Sequence, residues 1–357
     1  MKAFVTGGSG FIGQHVIRKL IDRGYDVYAL VRSKASADII EALGAIAVPG
    51  DITDVESMRE DMAGSDVVFH IAAWYKIGAK DWAEAEVINV SGTRKVLRLA
   101  HQLGVPKIVY TSTTAIWEDT NGQLVDESFY QGGPFLSEYA RTKWLAHYKV
   151  ALPLIEKGAP ITIVMPGGVY GPGDTSIIAE VMRLFYRGLP VVPGSTTTFT
   201  FAHVEDIAEG HILAAERGQI GESYILAGPA ISLGEMFDFW AYLLGRRAPT
   251  IRVPAEVLRP FAPLMTSINT LIPLPSLFSG EATALAGVAY LTRSDKARRE
   301  LGWETRPLQT GMLETLQWIA QTEAERPASQ EKKIALLGLG IALGLALVWL
   351  FGRRQEE

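Results

Sequence analysis

The chain has 357 residues, 48% of them hydrophobic, and a net charge of −5. This composition supplies enough apolar surface for a folded core and argues against global disorder. The acidic balance, without any basic block, offers no electrostatic footprint for nucleic acid. The absence of cysteine excludes disulfides, cysteine nucleophiles and thiolate metal sites, and fits a reducing compartment. The six histidines form no close pair at helical ligand spacing, so we expect no metal site. We also expect no signal peptide, because the first strand begins at Lys2.

The first element is a short apolar run, Ala3 to Val5, which predicts a buried strand. A glycine-rich turn follows it, and apolar residues at helical spacing begin at Ile12. In a strand–turn–helix unit that binds a dinucleotide, Gly7 permits the tight turn, Gly10 lets backbone N–H groups approach a pyrophosphate, and Gly13 lets the helix lie close to the strand. The unpaired N–H groups and the dipole of the helix N-terminus would hold the anion. The alternative is an ordinary loop rich in glycine.

Strands and helices alternate through the first half of the chain. We predict further strands at Asp26–Val31, Ala45–Pro49, Asp66–Ile71, Lys107–Tyr110 and Ile161–Met165, with helices between them that include Val55–Met62, Ile88–Leu103 and Ser137–Ile155. This alternation indicates an α/β fold with a Rossmann-type, doubly wound parallel sheet. Ligands of such sheets bind beyond the carboxyl ends of the strands.

The pattern loosens after Pro166, where glycine, proline and serine become frequent between short helices. We therefore assign residues 1–165, with returning elements around 198–227, to the dinucleotide-binding domain, and residues 166–325 to a smaller, discontinuous substrate domain. Ala255 to Phe278 is markedly apolar and broken by proline. It is either part of the core of the smaller domain or a lid over a lipophilic substrate.

The C-terminal region has the pattern of a membrane anchor. A polar linker at 326–333 precedes Ile334 to Phe351, which contains no charged residue and is flanked by Lys332-Lys333 and Arg353-Arg354. As a helix this segment would extend roughly 27 Å, close to the ~30 Å of a hydrocarbon core. We predict a single-pass C-terminal transmembrane helix at 334–351, with the catalytic domain on the cytoplasmic side.

Tyr139 and Lys143 lie four residues apart in a predicted helix and therefore share one face. An ammonium near a phenol favours the phenolate, so we expect the pKa of Tyr139 to be lowered from about 10 toward the working pH. A tyrosine tuned in this way can give or take the proton of a carbinol oxygen. Thr113 follows the fifth strand and supplies a hydroxyl that can hold the same oxygen. The alternative is a helix surface that carries the two residues by chance.

These motifs together resemble the extended short-chain dehydrogenase/reductases, and most closely the branch that includes dihydroflavonol reductases and 3β-hydroxysteroid dehydrogenases. The resemblance covers roughly residues 1 to 320. Its motifs are Thr6-Gly-Gly-x-Gly-x-x-Gly13, Asp51-Ile52, His70-x-Ala-Ala73, Asn89-Val-x-Gly92-Thr93, Thr111-Ser112-Thr113, Tyr139-x-x-x-Lys143, Val169-Tyr170-Gly171-Pro172-Gly173, Val204-x-Asp206 and Leu301-Gly302-Trp303.

The resemblance implies a function and a set of site residues. It implies an NAD(P)-dependent oxidoreductase in which Thr113, Tyr139 and Lys143 are catalytic, with Asn89 as a supporting member of the catalytic group. Lys143 would also contact the nicotinamide ribose. The cofactor-binding residues implied are Gly7, Gly10, Phe11, Ile12, Gly13, Arg32, Asp51, Ile52, Ala72, Ala73, Tyr139, Lys143 and Pro166.

The end of the second strand bears on the choice of cofactor. Enzymes that use NAD commonly place an acidic residue there, whereas an arginine suits the 2′-phosphate of NADP. This chain has Arg32 and Ser33 and no acid. We therefore expect NADP, with NAD as the alternative.

Departures from the family pattern bear on the substrate. Met165 and Gly167 stand where relatives that bind nucleotide sugars tend to have arginine and asparagine, and Trp117 stands where sugar-modifying relatives have tyrosine. We expect a lipophilic small-molecule ketone or secondary alcohol of steroid, terpenoid or flavonoid type. A sugar epimerase or dehydratase, and a catalytically silent nucleotide-binding membrane protein, are the alternatives. We also expect a homodimer.

Overall fold

The computed structural model describes residues 1–76, 82–271 and 279–324. The predicted linker at 326–333 and the predicted membrane segment at 334–351 lie outside these residues. Within the described ranges, no helix combines the length and the apolar character that a membrane span requires.

The strands of the chain are β1 (Lys2–Thr6), β2 (Asp26–Val31), β3 (Ile46–Pro49), β4 (Val67–His70), β5 (Ile108–Thr111), β6 (Ile161–Pro166), β7 (Gly168–Tyr170), β8 (Val191–Pro193), β9 (Thr198–His203), β10 (Ser223–Leu226), β11 (Ala230–Ser232), β12 (Ile251–Val253) and β13 (Ala289–Tyr290). The helices are α1 (Phe11–Asp22), α2 (Lys34–Ala42), α3 (Glu56–Met62), α4 (Ala83–Glu86), α5 (Thr93–Gln102), α6 (Glu138–Ala146), α7 (Leu152–Ile155), α8 (Ile177–Tyr186), α9 (Val204–Arg217), α10 (Leu233–Leu243), α11 (Ala255–Leu258), α12 (Ala262–Leu271), α13 (Gly280–Ala284) and α14 (Leu308–Ala324). Two π-helical turns, Val87–Gly92 and His147–Ala151, join α4 to α5 and α6 to α7.

The chain forms two compact units. Unit 1 comprises Met1–Val169, Thr200–Ala230 and Ala289–Leu308. Unit 2 comprises Tyr170–Phe199, Ile231–Val288 and Gln309–Glu357, the last of which is described as far as Ala324.

Unit 1 contains a seven-stranded sheet of order β10-β6-β5-β4-β1-β2-β3. Every neighbouring pair in it is parallel. The strand order reverses direction at β1 and β4, and this switch point opens the crevice in which such sheets bind ligands. The predicted Rossmann-type sheet is thereby confirmed.

Both faces of this sheet are covered, as a parallel sheet requires. Side chains alternate between the faces along each strand. Phe4 and Tyr110 pack in the core on one side, while Val5 and Val109 pack in the core on the other. Strand β6 is buried along its whole length. The continuous apolar runs that predicted these strands therefore reflect burial on both faces.

Residues Ala289–Leu308 lie in unit 1, although they fall inside the range 166–325 that we assigned to the smaller domain. Trp303 explains this placement, because it is fully buried in a core of unit 1 and its indole nitrogen donates to the carbonyl oxygen of Asp206 at 2.7 Å. The Asp206 carboxylate in turn binds the guanidinium of Arg306 at 2.9 Å. These contacts give the family motifs around Asp206 and Trp303 a structural role.

Unit 2 has a small aromatic core in which Phe185, Phe237 and Trp240 pack with ring centroids 5.2 to 5.5 Å apart. The apolar stretch Ala255 to Phe278 begins here as α11 and α12, and its residues 272–278 lie outside the described ranges. Ala255 and Leu258 are buried, whereas Leu264 is 54% exposed. The first turn of the stretch is therefore core, and α12 presents an apolar side chain at the surface.

Candidate active site

The turn after β1 is built from glycines that have no room for a side chain. Gly7 has a φ of +78°, and a Cβ atom there would lie 2.5 Å from the backbone nitrogen of Ala72, at the end of β4. A Cβ atom at Gly13 would collide with the carbonyl oxygen of Gly7 and lie 2.8 Å from the Cα atom of Gly8. The turn and α1 are therefore packed backbone against backbone, as a dinucleotide cradle requires.

The N-terminus of α1 is open for an anion. Its N-cap residue is Gly10, no side chain caps it, and its first turn carries no acid. Phe11 and Ile12 in this turn are half-buried, and Gly13 is buried. Free N–H groups and the helix dipole favour a phosphate at such an end. The predicted pyrophosphate residues thus form one site that fits the group.

Arg32 and Asp51 meet at the ends of β2 and β3. The Arg32 side chain is 69% exposed and its guanidinium lies 3.9 Å from the Asp51 carboxylate. Asp51 also accepts two hydrogen bonds of 2.7 Å from Thr53. Partial burial acts to raise the pKa of Asp51, but the bonds from Thr53 and the nearby cations lower it overall. Ile52 is buried and would contact any Cβ atom at Gly92, so it fixes the start of α5 against this edge.

Asn89 holds two parts of the site together. Its side-chain oxygen accepts from the Trp74 backbone nitrogen at 2.7 Å, and its amide nitrogen donates to the Trp74 carbonyl at 3.1 Å and the Thr142 hydroxyl at 2.9 Å. The segment after β4, in which Ala72 is half-buried and Ala73 exposed, is thereby tied to α6. In this structure the amide of Asn89 is engaged by Trp74 and Thr142. Its supporting role in the catalytic group stays a prediction.

Thr113 and Tyr139 meet where β5 ends and α6 begins. The Thr113 hydroxyl lies close enough to the phenol of Tyr139 to lower the pKa of that phenol. Thr113 is also fixed by the backbone, because its oxygen accepts from Ala115 at 3.2 Å and lies 3.5 Å from the carbonyl oxygen of Pro166, at the end of β6. The two hydroxyls that the motif pairs for one substrate oxygen are therefore adjacent in space.

Lys143 is buried beside this pair, with only 2% of its surface exposed. Its Nζ donates to the Thr111 carbonyl at 2.7 Å and to the Tyr110 hydroxyl at 3.2 Å. Burial lowers the pKa of Lys143 to about 7. The prediction that the pKa of Tyr139 would be lowered is wrong for this structure. Burial raises it to about 12, and the nearby Thr113 hydroxyl offsets this only in part.

Sequence reasoning missed one neighbour of the catalytic pair. Tyr75 follows β4 and packs edge-on against Tyr139, with ring centroids 4.8 Å apart. Its side chain is 44% exposed, so it presents an aromatic surface next to the catalytic phenol. No motif marked Tyr75, and only its position just after His70-x-Ala-Ala73, at the mouth of the sheet, could have indicated it.

Known proteins share both the sequence and the fold. The model of the NAD dependent epimerase/dehydratase family matches residues 3–227. A 4-hydroxy-2-methyl-3-oxo-4-farnesyl-3,4-dihydroquinoline-1-oxide ketoreductase from Stigmatella aurantiaca is 34% identical over 316 residues, covering 86% of this chain and 92% of the relative. Sterol demethylase protein B from Methylococcus capsulatus is 27% identical over 329 residues, covering 90% of this chain and 99% of the relative.

Two solved structures have a fold similar to that of this chain. The crystal structure of gox2253 has a TM-score of 0.78 at 31% identity, covering 90% of this chain and 98% of that chain. DesIV, a dTDP-glucose 4,6-dehydratase from Streptomyces venezuelae solved with NAD bound, has a TM-score of 0.73 at 22% identity, covering 91% and 98% of the two chains, and shows likeness of fold alone. The chain therefore belongs to the NAD dependent epimerase/dehydratase family, the extended short-chain dehydrogenase/reductases, and is an NAD(P)-dependent oxidoreductase of that family.

Proposed function

We propose that the protein interconverts a ketone and a secondary alcohol on a lipophilic small molecule, with Tyr139 as the general acid or base. The observation that carries this proposal is the proximity of the Thr113 hydroxyl to the phenol of Tyr139, close enough to lower the pKa of that phenol. It places a proton donor and a second hydroxyl at one point, where a carbonyl oxygen can be bound and protonated. The raised pKa keeps Tyr139 protonated at neutral pH, which is the state that reduction of a ketone needs.

Each residue of the site has its own role in this reaction. In the reductive direction Tyr139 gives its proton to the carbonyl oxygen, and Thr113 holds that oxygen by a hydrogen bond. Lys143, when protonated, supplies positive charge beside the phenol and favours its loss of the proton. A bound nicotinamide dinucleotide supplies the hydride and would lie against the glycine turn and the N-terminus of α1.

The preference for a lipophilic substrate rests on two observations. The names of two relatives contain a farnesylated quinoline oxide and a sterol. Tyr75 packs against the catalytic phenol and presents an aromatic surface that suits an apolar ring. These observations favour a steroid-, terpenoid- or flavonoid-like ketone.

Gly167 argues against a nucleotide sugar. This position corresponds to the asparagine that sugar-nucleotide relatives tend to carry. Here a Cβ atom at Gly167 would lie 2.7 Å from the carbonyl oxygen of Thr200 and 3.1 Å from the Cβ atom of Ala227. The backbone therefore leaves no room for a side chain at this point. Epimerisation of a nucleotide sugar is the weaker proposal, because Gly167 has no side chain that could bind the nucleotide.

Net cofactor turnover tests the proposal. Purified protein is incubated with NADPH or NADH and a panel of steroid, terpenoid and flavonoid ketones, and absorbance of the reduced nicotinamide is followed. We expect steady oxidation of the cofactor with at least one class of ketone, and none with the Thr113→Ala, Tyr139→Phe double variant. Conversion of UDP-sugars without net change in the cofactor would overturn the proposal in favour of epimerisation.

We propose NADP(H) as the preferred cofactor, because the exposed guanidinium of Arg32 can bind a 2′-phosphate and Ser33 can add a hydroxyl. We expect Arg32→Ala to weaken NADPH binding about 10- to 100-fold, since hydrogen bonds to charged groups contribute about 1.5–3 kcal/mol. NADH binding should change little. Lys34→Ala is the matched control, because Lys34 is another exposed cation and pairs with Asp38 at 2.7 Å. Equal losses for both cofactors in Arg32→Ala would contradict the assignment.

We also propose that the protein is a homodimer. Separately, we propose that residues 334–351 anchor the protein in a membrane, with the catalytic domain on the cytoplasmic side. The uncharged segment and its flanking basic pairs support this anchor. Deleting residues 332–357 should move the protein from the membrane pellet to the supernatant and leave its activity on a water-soluble ketone unchanged. Full-length protein that stays in the supernatant of a high-speed spin without detergent would exclude the anchor.

A further inference from the structure

Three buried side chains, those of Lys143, Tyr110 and His70, form one row behind the catalytic pair. Lys143 Nζ lies 3.2 Å from the Tyr110 hydroxyl, and the Tyr110 ring packs on the imidazole of His70. None of the three is more than 2% exposed. Lys143 comes from α6, Tyr110 from β5 and His70 from β4. The row therefore links the catalytic helix to the sheet through side chains that solvent does not reach.

The contact between Lys143 and Tyr110 has a fixed direction. An ammonium can only donate, so the Tyr110 hydroxyl accepts from Lys143.

The ring of Tyr110 is held in place from its other side. It stacks on the imidazole of His70, with centroids 5.7 Å apart and an interplanar angle of 19°. His70 is itself fixed, because its two nitrogens lie 2.7 Å from the Thr6 hydroxyl and 2.9 Å from the Thr93 hydroxyl. The Tyr110 hydroxyl is therefore an acceptor at a defined place.

We propose that Tyr110, held by His70, is a positioning residue for Lys143, and that with the Thr111 carbonyl it engages two of the three N–H groups of Lys143 and leaves the third for a bound ligand oxygen. The Thr111 carbonyl and the Tyr110 hydroxyl are the two acceptors that fix the ammonium. The catalytic meaning of this inference rests on the proposed function. The assignment of these residues as the partners of Lys143 does not depend on the proposed function.

The row should also govern when Lys143 is charged. The titratable groups that face its amine are Tyr110 on β5, Tyr139 on α6, His70 on β4 and His147 in the π-helical turn. Both histidines have their pKa lowered to about 3, first by burial and then by Lys143, so they stay neutral near pH 7. Burial disfavours the ammonium, and the acceptor oxygens oppose this effect. Removing one acceptor should make Lys143 lose its proton at a lower pH.

The test titrates Lys143 directly. Full-length protein without cofactor is labelled with ¹³C at the lysine Cε, and the Lys143 resonance is identified as the one missing from Lys143→Arg. We expect the titration midpoint in Tyr110→Phe to fall by about one pH unit or more relative to wild type, since the lost bond involves a charged group. Tyr224→Phe is the matched control, because Tyr224 is fully buried in unit 1 and its hydroxyl contacts Gln219 and Glu300 instead.

A second variant covers the case in which Tyr110→Phe does not fold. Tyr110→Leu removes the same hydroxyl and should lower the midpoint in the same direction. A midpoint that is identical in wild type, Tyr224→Phe and whichever of the two row variants folds would overturn the inference.

A kinetic arm separates this inference from the proposed function. If Lys143 acts as the ammonium, ketone reduction should fall as the pH rises through the wild-type midpoint, and in Tyr110→Phe the fall should occur at lower pH. A shifted NMR midpoint without any ketone turnover would retain the row and refute the proposed function. Turnover with the same pH profile in wild type and Tyr110→Phe would refute the row alone.

Discussion

Replacing Tyr139 with phenylalanine is expected to lower kcat for ketone reduction by about 100- to 10,000-fold, the range that a general acid or base contributes. The ring that packs against Tyr75 is retained, so the change removes only the hydroxyl that contacts Thr113. Binding of the cofactor and the melting temperature should change little. Steady-state kinetics at saturating cofactor, together with thermal melting, would measure these effects.

Tyr148→Phe is the control for this experiment. Tyr148 lies in the π-helical turn that follows α6, and its hydroxyl accepts from the Trp117 indole at 3.1 Å. The same chemical change there should leave kcat within a few-fold of wild type. Turnover by Tyr139→Phe close to that of Tyr148→Phe would mean that another group moves the proton.

The second large effect is expected from Gly13→Ala. The new methyl group would collide with the Gly7 carbonyl and crowd the Cα atom of Gly8, so α1 and the glycine turn must separate. Because both neighbours are backbone, no side-chain rotation can relieve the contact. We expect dinucleotide affinity to fall at least tenfold, about 1.4 kcal/mol or more, and the melting temperature to fall as well. Fluorescence titration with NADPH and thermal melting would measure the two losses.

Gly132→Ala serves as the matched substitution. A Cβ atom at Gly132 would approach only the ring of Tyr130, whose side chain is exposed and can move. The Gly132→Ala variant should therefore bind NADPH with wild-type affinity. If Gly13→Ala also binds NADPH with wild-type affinity, the glycine turn is not the dinucleotide site.

The sequence predicted the parallel sheet well, because its central strands are short, buried on both faces and therefore mostly apolar. The helices were predicted less accurately than the strands. We predicted Ile88–Leu103 and Ser137–Ile155 as single helices, and each contains a π-helical turn. Nothing in a periodicity of 3.6 residues marks such a turn, which in both places lies close to residues of the candidate site.

The site was predictable in membership but not in electrostatics. Spacing alone places Tyr139 and Lys143 on one face of a helix. It does not reveal that Lys143 is buried and Tyr139 half-buried, and burial acts against the charged form of each. The pKa of Tyr139 is therefore raised rather than lowered. The acceptors of Lys143 belong to β5, far away in the sequence, and only the fold brings them to the amine.

Tertiary packing also determined the contacts of Asn89 and the place of Trp303. The motif around Asn89 identified an important residue, but its contacts with Trp74 and Thr142 appear only when α6 lies against the segment after β4. Trp303 lies late in the sequence but packs in a core of unit 1. Neither contact has a local signature in the sequence.

Transfer of deuterium from labelled cofactor tests the central claim most directly. A ketone that is turned over is incubated with NADPH carrying deuterium at the transferred position, and the product is analysed by mass spectrometry and NMR. We predict one deuterium at the carbinol carbon of each product molecule and an equal amount of oxidised cofactor. A product that carries no deuterium, or one that forms without net oxidation of the cofactor, would contradict the account.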